Sequence, residues 1–178
     1  MIRHSRIKAT MSKRRLAAFV VAAVITAALA GAVLATPGFG IVSAPVVARA
    51  SFVDPVEIKF KVREGQHQEV IHVHDAQETV MQQIVIAPGG STGWHSHPGP
   101  AVALIKAGEL TVYSSDDPTC TGRTYSAGQA FVDSGQGHVH IARNLSQSEN
   151  TEVWVTYFDV PPSAPFRLDA ADPGICGF

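Results

Sequence analysis

Cysteine is scarce in this 178-residue chain, with only Cys120 and Cys176, and neither sits in a C-x-x-C pair. That spacing argues against a cysteine metal centre. No H-E-x-x-H run occurs, and the one G-x-S-x-G run, Gly89 to Gly93, leads into no helical stretch, so Ser91, Ser96 and Ser134 lack the strand-turn-helix context of a catalytic serine. No phosphate-binding glycine loop leads into a helix. Acids are absent from the first 15 residues, which carry Arg3, Arg6, Lys8, Lys13, Arg14 and Arg15. Beyond residue 35 nothing is long and apolar enough to span a membrane.

The basic start is followed by Leu16 to Ala35, apolar apart from Thr26 and Gly31. Together they read as the n-region and h-region of an export signal. The run approaches the length of a membrane span, so residues 1–35 are expected to be either a cleaved signal peptide or a retained anchor. Val33-Leu34-Ala35 before Thr36-Pro37 suits a signal peptidase. Ala48-Arg49-Ala50 lies too far downstream, and the surroundings of Arg14-Arg15 fit a twin-arginine signal poorly. Either outcome puts the body outside the cytoplasm, secreted or tethered through residues 16–35.

Without its leader the chain keeps eight of its 14 bases against all 15 acids. An acidic body of this kind argues against nucleic acid as a partner. Residues 36–178 have the size of one domain. In an oxidising compartment Cys120 and Cys176 are expected to form a disulfide tying the C-terminal tail to the Asp116 to Gly122 loop.

The body reads as strands throughout. They are expected at 41–52, 56–62, 70–74, 79–87, 101–107, 109–114, 123–126, 129–132, 138–144 and 152–160. Turn signals separate them at Pro88-Gly89-Gly90, Pro98-Gly99-Pro100, Asp116-Asp117-Pro118 and Ser134 to Gly137. About ten short strands in one domain imply a sandwich or a closed barrel. The proline-rich tail from Pro161 is expected to be extended and pinned by Cys176.

Two segments carry chemistry. In Trp94-His95-Ser96-His97 the imidazoles stand at i and i+2, which point to one face of a strand. In Gly137-His138-Val139-His140 the arrangement recurs. Two such strands, each entered through glycines, can supply several metal ligands from one side.

These segments resemble the two motifs of the cupin family. The first, G-x5-H-x-H-x3 or x4-E-x6-G, lies over Gly89, His95, His97 and Gly108, about residues 89–108. The second, G-x5-P-x-G-x2-H-x3-N, fits Gly128, Gly137, His140 and Asn144, about residues 128–144, with Gly135 in the proline position and one extra residue after Gly128. The runs PGGSTGWHSHPGP, DDPTC and GHVHIARN are also similar to those of small exported actinobacterial cupins. The resemblance implies an all-β double-stranded barrel, or jelly roll, over residues 36–178. It further implies a divalent transition metal (Fe, Mn, Ni, Zn or Cu) on His95, His97 and His140. A homodimer is plausible on the same ground.

Counted from His97 to Gly108, the glutamate of the first motif would fall at Ala101, so that ligand is missing. His138 is the candidate fourth ligand, or else a rim residue. His138 and Tyr113 are the candidate acid-base groups, and Gln82 or Gln83 is placed to face inward. His72 and His74 read as a solvated strand face and His67 as a loop residue. Trp94 reads as packing, Asn144 as a turn-satisfying side chain and Arg143 as an exposed charge. Cupins of this size include dioxygenases, isomerases and epimerases, which implies a small-molecule metalloenzyme. The alternative expectations are a non-catalytic module binding a small ligand and a purely structural protein.

Overall fold

The computed structural model describes residues 35–64 and 67–178. The leader, with its cleavage or anchoring, lies outside the described residues. The strands are β1 (Phe39–Ser43), β2 (Val46–Ser51), β3 (Ile58–Glu64), β4 (His67–Val73), β5 (Glu78–Ser91), β6 (His95–Ser96), β7 (Ala101–Ala107), β8 (Glu109–Ser114), β9 (Arg123–Ser126), β10 (Ala130–Asp133), β11 (His140–Arg143), β12 (Thr151–Val160) and β13 (Leu168–Asp169). No helix occurs among the described residues.

Eleven strands form one sheet in which β10, β7, β12, β5, β11, β6 and β13 follow one another side by side. β11 also pairs with β8, which pairs with β9. All of these ladders are antiparallel, and the sheet curls round a core of Val80, Ile86, Ile105, Leu110, Val153 and Val155. The result is a nearly closed all-β barrel of the jelly-roll kind. β12 shows why: its burial alternates along Thr151–Tyr157, as a strand with one face on the core requires.

Differences from the expected strands have local causes. The single strand expected over 41–52 is two, β1 and β2, because Ala44-Pro45 interrupts it and proline offers no N–H to a ladder. Both halves still pair with β5. β5 runs through the expected break at Pro88 and bends where Gly89 takes φ 71°. His67 opens β4 rather than lying in a loop. The short strand at His95 is present as β6, while the two-residue strand β13 was not anticipated; the two pair with each other, which lays the tail beside the first motif.

The tail turns at Pro161–Ala164 and is irregular apart from β13 and a bridge of Ala171 to Ala35, and Cys176 is disulfide-bonded to Cys120 as expected, with their Cα atoms 5.4 Å apart. β3 and β4 form a separate hairpin. Ile71 and Val73 of that hairpin are buried, and Phe60 packs on Phe158 of β12.

Candidate metal site

Strand register brings the two histidine segments together. His140 of β11 stands directly opposite His95 of β6, and His97 follows two residues on. Their ring centroids are 4.3 Å (His95 to His140), 4.9 Å (His95 to His97) and 5.3 Å (His97 to His140) apart. One ligand nitrogen from each lies within 4.8 Å of the other two, so the group can hold a metal ion.

The ring nitrogens are already sorted. Nδ1–H of His95 donates to the Gly93 carbonyl at 2.8 Å, and Nδ1–H of His97 donates to the Phe166 carbonyl at 2.7 Å. A carbonyl can only accept, so each ring keeps Nε2 unprotonated and free to ligate. Nδ1 of His140 lies 3.3 Å from Oδ1 of Asp133 but is not aligned for a hydrogen bond. Among the described residues it is the one buried side-chain polar atom without a hydrogen-bond partner.

Burial sets the charge state. Desolvation is the largest cause lowering all three imidazole pKa values, pushing His140 down to about 4 and His95 well below its ordinary value. The Arg167 guanidinium adds to the effect on each. Three neutral imidazoles with free nitrogens are what a divalent transition metal requires, so the residues fit one.

Comparisons with known proteins add partial overlaps. No family model matches the chain, and no curated protein matches it. Among solved structures it is similar to an oxalate oxidase, at 26% identity over 46% of this chain and 41% of that one, with a TM-score of 0.39. It is similar to the polyketide cyclase RemF of Streptomyces resistomycificus at 18% identity over 51% and 59%, TM-score 0.42. An RmlC-like cupin of Shewanella frigidimarina aligns at 15% identity over 49% and 76%, TM-score 0.39. The chain spans less than half the length of the oxalate oxidases it matches. The fold rests on the molecule itself, where the histidines of both motifs meet inside one barrel. In fold and in its paired histidine motifs, this chain resembles the cupins.

Where the cupin motif would place its glutamate, Ala101 is buried in β7. A carboxylate reaches that region from the next strand: Asp133 of β10 is the register partner of Ala101. Both line an inner chamber of about 50 Å³ together with the three histidines and Tyr157. Asp133 accepts from Nδ1–H of His138 at 2.9 Å and from the Gly135 amide at 3.0 Å. Burial alone would raise its carboxyl, but the His138 hydrogen bond and the charges of His140, His97 and His138 outweigh burial and hold it below the ordinary value. Gly135 takes φ 61°, and its N–H is used, two things a proline cannot provide. This accounts for glycine at the motif's proline position.

His138 is not brought to the three histidines. Its ring stacks on that of His140 with centroids 5.8 Å apart, and its nitrogens face Asp133 and, at 2.8 Å, the Ser114 hydroxyl. Its hydrogen bond to Asp133 raises its pKa, against a smaller opposing effect of burial. Asp133, His138 and His140 also form a group able to hold a cation. Tyr113 packs on Phe178 beside Trp94, Ile141 and the disulfide, away from the inner chamber. The tyrosine that lines the chamber is Tyr157, whose hydroxyl donates to Gln82 at 3.1 Å and whose pKa burial raises.

An outer pocket of about 220 Å³ shares His95, Tyr157, Thr92 and Ile84 with the inner chamber and adds Gln82 and Arg167. Gln82, rather than Gln83, therefore faces inward; Gln83 bonds Glu152. Arg167 is held by Asp169 and by the Thr92 carbonyl at 2.7 Å. Trp94 is buried in packing, and Asn144 donates to three backbone carbonyls and accepts from the Ser146 amide. Arg143 lies 4.0 Å over the Phe178 ring instead of free in solvent.

Sequence reasoning missed Asp133, Tyr157 and Arg167. Asp133 had one available signal, an acid closing the apolar run Ala130 to Val132 just before the glycine turn. Tyr157 and Arg167 had none, since each reaches the site through long-range pairing of β12 and β13.

Proposed function

We propose that this chain is a cupin and an exported metalloprotein that acts on a small organic anion, a metalloenzyme of the dioxygenase, isomerase or epimerase kind. One observation carries the reading: three neutral imidazoles with free nitrogens converge on a chamber continuous with a pocket that holds Arg167. His95, His97 and His140 would hold the ion. A divalent ion there supplies Lewis acidity to a bound molecule.

The remaining roles belong to the chain. Arg167, braced by Asp169 and Thr92, offers its charge to an anion entering the outer pocket. Tyr157, kept protonated by burial, can donate its hydroxyl hydrogen to the ligand by giving up Gln82. Asp133 stands beside Nδ1 of His140 and can orient that ring, much as a carboxylate behind a metal-bound histidine does. The Cys120 to Cys176 disulfide supports the export reading, because such bridges persist in oxidising compartments.

Elemental analysis of the untagged full chain tests the proposal. The expected result is at least one transition-metal ion per chain, with one equivalent lost in each of His95→Ala, His97→Ala and His140→Ala. Unchanged metal content in all three variants overturns it. The inner chamber of only about 50 Å³ favours a second reading, a module that binds its ligand without turnover. Ligand binding that survives chelation selects that reading, and turnover that requires metal selects the enzyme.

A further inference from the structure

We propose that the base of the β3–β4 hairpin is a second, exposed cation site, which holds a divalent transition metal through Glu57, His72 and His74. It is independent of the barrel histidines.

The register builds it. Ile58 and Val73 are the last paired residues at the open end of the hairpin. Glu57 and His74 lie one step beyond that pair, on opposite chains, and His72 shares the face of His74 by strand alternation. The side chains converge: Nε2 of His72 is 2.8 Å and Nδ1 of His74 is 3.0 Å from the same carboxylate oxygen of Glu57. The two imidazole rings lie 3.9 Å apart, centroid to centroid.

Ligand atoms at roughly 2.1 Å from a metal stand about 3.0 Å from one another in an octahedron and about 3.4 Å in a tetrahedron. The spacing found is near the first of these, so an ion could enter with small side-chain movements. Each ring N–H now directed at Glu57 would pass, through solvent, to the other nitrogen of its ring, and no net proton need be lost. Two imidazoles and one carboxylate favour zinc, copper or nickel over magnesium or calcium. Exposed side chains leave the other coordination positions to water.

The site also has something to hold. The hairpin is a two-stranded sheet outside the main ladder, and such a unit is marginal by itself. An ion bridging Glu57 and His74 would add a side-chain link, 17 residues apart in sequence, to the Ala76 N–H bond to the Val56 carbonyl (2.9 Å) that already joins the two chains at that end. Besides its apolar contacts, it is tied to the barrel by Gln136, which donates to the His72 carbonyl at 3.3 Å from the turn between Asp133 and His138.

Zinc binding to the untagged full chain, by equilibrium dialysis against a competing chelator, provides the test. We expect a second zinc equivalent beyond the barrel's, weakened at least tenfold in Glu57→Gln/His72→Gln/His74→Gln and retained in His95→Ala/His97→Ala/His140→Ala. Hydrogen exchange of the β3 and β4 amides should slow severalfold with zinc in the parent and not in the hairpin variant. The hairpin residues are on the surface, so their replacement should leave the fold intact, and circular dichroism checks this. The proposal is overturned if the hairpin variant binds zinc as the parent does, or if the barrel variant binds none. Loss of the barrel equivalent alone bears only on the barrel.

Discussion

Breaking the disulfide should weaken the fold and the histidine site together. Cys120 and Cys176 close a loop with a sequence separation of 56. Loop-closure entropy for that length gives a stabilisation of about 4 kcal/mol, through constraint of the unfolded chain. The bridge also holds down the segment that walls the site. β13 pairs with β6, the Phe166 carbonyl fixes Nδ1 of His97, and Arg167 enters the pocket from the same stretch. In Cys120→Ala/Cys176→Ala the urea midpoint of metal-free protein should fall by roughly 2 M, taking a denaturant slope of about 2 kcal/mol/M. Metal affinity, measured by chelator competition under conditions where the variant is still folded, should fall as well. A loss of less than about 1 kcal/mol with unchanged metal affinity would refute the reasoning, and would mean that strand pairing alone anchors the tail.

Further outcomes follow from particular contacts. Gly135→Ala should cost roughly 3 kcal/mol or more by urea unfolding, since its Cβ would sit 1.8 Å from the Gly99 carbonyl at a φ of 61°; a cost under about 1 kcal/mol contradicts this. Asp133→Asn should weaken metal binding about 10- to 100-fold while His95 and His97 stay in place, and unchanged affinity would remove the orienting role of Asp133. The raised His138 pKa contributes stability that is fully present below the unfolded value of 6.5 and is lost as pH rises through the folded one. The depressed Asp133 pKa contributes stability that is present above its unfolded value of 3.8 and is lost as pH falls through the folded one. In metal-free protein the lowered His95, His97 and His140 values make stability rise as pH climbs towards 6.5. The His138 contribution is therefore read by denaturation as the stability of the parent over Asp133→Asn, which should shrink as pH rises through the folded His138 value. Arg167→Gln should raise the dissociation constant for anionic ligands in titration calorimetry with little effect on metal content; equal affinity for anions argues against the outer pocket as their entrance.

The extent to which the site was legible in the sequence follows from the range of the interactions that build it. Alternation along β12 and the β-branched runs of β7, β8 and β9 mark strands because burial on one face imposes a period of two within a few residues. The imidazoles of His95 and His97 are close because the pleat alone puts i and i+2 on one side. Asn144 and Trp94 took the roles expected of them for equally local reasons. The pair Ile41 to Phe52 went wrong at Pro45, where a missing N–H outweighs β-propensity.

Other features depend on partners far along the chain. Tyr113 and Tyr157 look alike as strand tyrosines, yet one packs outside against Phe178 and the other inside against His97. His138 reads as a candidate ligand or a rim residue beside His140, and the Gly135 to His138 turn directs its nitrogens to Asp133 and Ser114. The sequence by itself determined an all-β fold and which two histidine segments carry the chemistry, because strand period and i, i+2 spacing are local properties of the backbone; the choice of barrel over sandwich came from the motif resemblance. Only the tertiary structure decided that Asp133 stands across from Ala101, where the motif's glutamate is missing, and that Arg167 and Tyr157 complete the pocket. Register between distant strands makes those choices, and no local pattern encodes it.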